Sequence, residues 1–161
     1  MILGLSTSVF TLIHVILSLV GIGAGLIALL GLMGGKLYRG LTALFLATTV
    51  LTSITGFLFP FHGVTPGIVL GFLSLIVLVL AIVALYFGKL GGACRGTYVI
   101  ASSIALWFNF FVLVAQSFAK IPELKAIAPT QASPVFGITQ LIVLVIFIVL
   151  TARAFKRFRI A

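Results

Sequence analysis

Five long apolar stretches take up most of this chain, and its basic residues are dealt out between them in near-alternation. Lys36 and Arg39 follow the first stretch, none follows the second, and Lys89 and Arg95 follow the third. Lys120 and Lys125 accompany the only acid, Glu123, after the fourth, and the tail carries Arg153, Lys156, Arg157 and Arg159. A helix needs about 20 predominantly apolar residues to cross a hydrocarbon core. Stretches of that order lie at 8–33, 41–60, 66–88, 97–118 and 134–155. They predict an all-α fold, a polytopic transmembrane helical bundle of five spans forming one integral membrane domain over residues 1–161.

Cytoplasmic loops carry an excess of Lys and Arg, so the basic segments orient the spans. The expected topology is N-out and C-in, with the residue-62 loop and the Ala119–Val135 loop outside. Eight of the ten basic residues then lie on the cytoplasmic side. Tyr38, Tyr86 and Tyr98 border the same side, as an interfacial aromatic belt requires. The first span is longer than a crossing needs and is expected to tilt. Were it to lie in the interface instead, the count would be four. The run at its start lacks a basic n-region and is too long for a signal-peptide core, which predicts a permanent span.

Composition narrows the function classes. The chain is 63% hydrophobic and 7% charged, against about a quarter charged for an average globular protein. Its +9 charge sits at the ends of apolar segments, which fits lipid headgroups and excludes a nucleic-acid-binding face. One cysteine, Cys94, excludes an internal disulfide and a CxxC motif. Two histidines, one cysteine and one loop carboxylate are too few for a zinc site or for acid/base hydrolysis. No metal and no cofactor is expected. Lipid is the expected environment, with bound lipid as the expected ligand.

Polar side chains inside hydrocarbon need a role. Ser102, Asn109 and Gln116 recur every seven residues, which places them on one helix face. Thr48, Thr52 and Thr55 share a face in the second span, and His14, Ser18, Gly21 and Gly25 do so in the first. Gly21 and Gly25 form a GxxxG, which permits close backbone approach. In the expected topology His14, Thr55, Gln116 and Gln140 fall in the outer half of the membrane, beneath His62, Thr130 and Gln131 in the loops. Two readings follow: interhelical hydrogen bonds, or a polar cavity opening outward. Thr65-Pro66 and Ser133-Pro134 predict hydroxyl N-caps before a proline at the first helical position. Pro122-Glu123-Leu124-Lys125 predicts one or two helical turns on the outer surface, stopped before Pro129.

The segments TGFLFPFHG and FVLVAQSFAKIPELKAIAPTQASPVFGITQ resemble a group of small bacterial inner-membrane proteins with no assigned activity. The resemblance runs from the second span to the C-terminus and is most specific at APTQxSP. It implies an inner-membrane setting with outer loops in the periplasm. It also implies an often acidic residue where His62 stands, which argues against a strict metal or haem role there. Three functions remain open at this stage. They are a non-catalytic membrane component (a homo-oligomer or a subunit of a larger complex), an oligomeric channel or carrier, and a quinone- or haem-binding redox protein.

Overall fold

The computed structural model describes residues 1–60, 63 and 65–159. Six α-helices follow in order: α1 (Thr7–Met33), α2 (Arg39–Gly56), α3 (Pro66–Ile82), α4 (Ala93–Lys120), α5 (Pro122–Ile127) and α6 (Pro134–Arg157). The chain is all-helical, and among the described residues the only β pairing is an isolated bridge between Ile2 and Leu5. Four helices are long and apolar enough to cross a membrane: α1, α3 with its continuation to Phe87, α4 and α6.

The long helix that falls short is α2, not α1, where the sequence raised the alternative count. At 18 residues and 1.5 Å per residue it measures about 27 Å, against a hydrocarbon core of about 30 Å. It starts on Arg39 and carries Thr42, Thr48, Thr49, Thr52, Ser53 and Thr55. It also stops four residues before the expected end at Pro60. The N–H groups of Phe57 and Leu58 turn back to Ile54 and Thr55 at 3.1 Å each, closing a tight last turn. The residue before a proline is driven out of the helical region, so the chain must leave the helix before Pro60.

Other boundaries have local causes. Ser6 caps α1 by accepting from the Val9 N–H, and Thr65 caps α3 by accepting from Ile68, as the Thr65-Pro66 pair predicts. The Ser133 cap is not made; its hydroxyl accepts instead from the Thr130 N–H at 3.3 Å, within the preceding loop. The α4 helix begins four residues before the expected start and ends at extended Ile121, just ahead of Pro122. Pro122–Ile127 forms the short helix expected there.

The third helix ends in a π-turn over Val83–Phe87, where the Gly88 N–H bonds the Val83 carbonyl at 2.8 Å. The chain then reverses through left-handed Lys89 and Leu90 (φ 45° and 59°). Leu90 is held there by burial in the core and by an N–H bond to the Ala84 carbonyl. A Cβ on Gly88 would run into the Cys94 side chain, so this corner is closed by a glycine.

Around the bundle, α1 packs on α2, α2 on α3, α3 on α4, α4 on α6, and α6 returns to α1; α4 also reaches α1. Leu32, Phe45, Leu78, Tyr98, Val99 and Leu106 anchor the shared core. The outward faces of α3 and α6 are lined by exposed apolar side chains such as Phe72, Val79, Leu141 and Ile148. Such faces suit lipid, because apolar surface there costs nothing to leave uncovered by protein.

At one end the basic segments meet. Arg95, at the start of α4, donates through Nη1 to the Phe155 and Phe158 carbonyls at 2.8 and 2.6 Å. Its guanidinium lies 5.0 Å from the Phe155 ring centre. A cation on the free carbonyls of a helix C-terminus also offsets the helix dipole. Gly35 lies against the Arg157 carbonyl, which brings the α1–α2 loop to the same end.

Candidate functional site

The polar side chains singled out in the sequence resolve into separate contacts between helix pairs. The first joins α1 to α2. His14 Nδ1 lies 2.8 Å from Thr55 Oγ1. The Thr55 hydroxyl already donates to the Leu51 carbonyl at 2.8 Å. Its oxygen is therefore the acceptor, and the network requires the His14 tautomer with the proton on Nδ1. Phe59 closes edge-on against the His14 ring at 5.2 Å and also meets Phe10 at 5.1 Å. Gly56 admits the imidazole, whose Cε1 would lie 3.6 Å from a Cβ placed there. Among the described residues, His14 thus meets a hydroxyl, one aromatic ring and a glycine.

The second contact is a three-helix junction at mid-bundle. A Cβ on Gly21 would lie 2.9 Å from Thr48 Oγ1 and 3.3 Å from Thr49 Oγ1, so glycine lets α1 approach α2 at the threonines. Thr49 Oγ1 in turn accepts from Asn109 Nδ2 of α4 at 3.2 Å. One turn on, a Cβ on Gly25 would lie 2.7 Å from both Leu106 and Phe45. The GxxxG of α1 is therefore a seat for α2 and α4, since small residues give backbones the close approach that membrane packing relies on.

The third contact links α6 to α4. Buried Gln140 donates through Nε2 to the Phe111 carbonyl at 3.0 Å. Phe136, one turn earlier, meets Phe111 and Phe118 nearly edge-on at 6.2 and 5.7 Å. Fully buried Tyr98 adds a long 3.5 Å bond to Thr42 of α2. Neither the Tyr98–Thr42 pair nor the Gln140–backbone bond was singled out in the sequence. Tyr98 reads there as an interfacial tyrosine, and a carbonyl acceptor leaves no sequence signal.

The heptad-spaced trio does not converge on one neighbour. Ser102 is buried and bonds its own helix at the Val99 carbonyl, Asn109 reaches α2, and Gln116 is exposed. Seven residues fall about 20° short of two full turns, so a heptad row drifts around a straight helix. Ser18, Thr48, Ser53 and Ser117 likewise return their hydroxyls to carbonyls of their own helices. Thr52, Ser74, Ser103, Trp107 and, through its Oε1, Gln140 each bury a polar atom without a protein partner.

Among the described residues no hydrogen bond joins the His14, Asn109 and Gln140 contacts to one another. Where α1, α2 and α4 meet, Gly25, Phe45, Tyr98, Ser102 and Leu106 line a small cleft of about 10 Å³. A cleft of that size holds about one water. Thr130 and Gln131 are exposed in the α5–α6 loop, where Thr130 lies beside Ser133. His62 lies outside the described residues. Comparison with known proteins finds no matching family model, no matching curated protein and no matching solved structure.

Proposed function

We propose that this chain is a non-catalytic membrane component, a five-span bundle lying N-out and C-in in which His14, Asn109 and Gln140 bond neighbouring helices. In this reading α2 is the fifth span. It is short and threonine-rich because it sits among the other helices, with Thr42, Thr48, Thr49 and Ser53 all buried. The observation that carries the proposal is the bonding of His14, Asn109 and Gln140, each to a neighbouring helix. A polar group inside hydrocarbon is costly without a partner, and His14 Nδ1, Asn109 Nδ2 and Gln140 Nε2 have theirs on a neighbouring helix, whereas Gln140 Oε1 has none. The resemblance to small inner-membrane proteins favours a bacterial inner membrane. There the chain would act as a homo-oligomer or as a small subunit beside a larger complex.

The competing reading, an oligomeric channel or carrier, would need a path through the bundle or between its copies. Asn109→Leu separates the two functions. It is expected to lower the melting temperature in detergent while wild-type liposomes pass ions and small neutral solutes no faster than empty ones. A stable, correctly assembled Asn109→Leu protein that has lost a flux shown by wild type would overturn the structural role.

A further inference from the structure

Between α4 and α6 runs an open groove of about 400 Å³. Ile100, Ile104 and Trp107 of α4 face Leu144, Ile148 and Ala152 of α6, and Lys156 stands at the mouth. From Leu144 to Lys156 the groove follows twelve residues of α6, about 18 Å at 1.5 Å per residue. That is close to one leaflet, half of a hydrocarbon core about 30 Å thick. The groove is an open, mostly apolar slot about as long as the hydrocarbon chain of one leaflet.

Charge decides what the chain belongs to. Lys156 is exposed at the mouth, and Arg95 stands 5.0 Å from the ring of Phe155, another groove residue. Arg95 spends hydrogen bonds on the Phe155 and Phe158 carbonyls but keeps its positive charge. The only acid in the sequence, Glu123, lies on α5 beyond the far end of α4, and offers these cations no counter-ion. A cationic mouth over an apolar slot one leaflet deep is complementary to an anion carrying a long alkyl chain.

We propose that the α4–α6 groove holds one acyl chain of an anionic phospholipid from the leaflet at the basic end, with its phosphate on Lys156. The site needs the bundle to span a bilayer but is independent of whether the polar contacts are structural. Anionic lipid near the surface attracts each cation appreciably, and the slot fixes where one such lipid rests.

Native mass spectrometry of the full chain, released from nanodiscs of equal phosphatidylglycerol and phosphatidylcholine, tests this. Wild type is expected to keep one phosphatidylglycerol per protomer, favoured at least about tenfold over phosphatidylcholine. Ala152→Trp, which fills the slot from an exposed position, should lose the retained lipid, and Lys156→Gln should lose most of the headgroup preference. Lys156 is exposed, so its variant reports even if Ala152→Trp fails to fold. Equal retention of both lipids by wild type overturns the proposal. So does a phosphatidylglycerol adduct unchanged in Lys156→Gln, or a lipid-free dimer that Ala152→Trp breaks.

Discussion

His14 shows how little chemistry a membrane histidine needs in order to be explained. Its Nδ1–H meets Thr55, whose own proton is committed to the Leu51 carbonyl. Phe59 stands edge-on to the ring, backed by Phe10. The pair is cooperative in geometry, so removing either partner strands the other. A double-mutant cycle with His14→Leu and Thr55→Val should give a coupling of about 0.6 to 1.7 kcal/mol, the range met for interhelical bonds in membranes. Thermal unfolding in detergent reads it, and additive losses would show that the 2.8 Å contact does not tie the helices. The sequence placed Thr55 at the depth of His14 and on a threonine face, but did not pair the two. The pairing comes from α1 presenting His14 opposite Thr55, a fact of tertiary register that spacing within α2 cannot encode.

The α1 helix seats α2 and α4 through absent side chains. Gly21 and Gly25 face α2 and α4 at distances no Cβ tolerates, whereas a Cβ on exposed Gly23 would meet nothing within 4 Å. Gly25→Leu should cost about 1 to 3 kcal/mol through overpacking, while Gly23→Leu should stay within about 0.5 kcal/mol of wild type. Melting temperatures of the two variants compare them directly, and equal losses would contradict the packing. Much of this level was legible beforehand. The GxxxG, the Thr65 cap, the short Pro122 helix and the apolar lengths all follow from local rules that neighbouring residues carry. The Ser133 hydroxyl was misplaced because two acceptor roles competed, and the loop N–H of Thr130 took it. The early end of α2 was missed because Phe57, Leu58 and Phe59 extend the apolar run past the point where backbone geometry before Pro60 ends the helix.

At the scale of the whole molecule, the alternation of charge becomes a basic end. Arg95 ties α4 to the end of α6, and Gly35 brings the first loop beside Arg157. The sequence could group these segments by sign, but it could not say that one arginine would cap another helix. That bond depends on where α6 stops. The expected convergence of Ser102, Asn109 and Gln116 on one neighbour was the least legible part, because a seven-residue spacing says nothing about which neighbour each turn meets. Crossing of the bilayer by α2 fixes the rest of the topology: with it the two ends of the chain lie on opposite sides, and without it on the same side. Single cysteines at Ser6 and at Arg159, in a Cys94→Ser background, can be probed in sealed right-side-out vesicles with a membrane-impermeant maleimide. Labelling of residue 6 alone, with residue 159 reacting only after the vesicles are opened, is the result expected of five spans lying N-out and C-in. Labelling of both positions from the same side would contradict it.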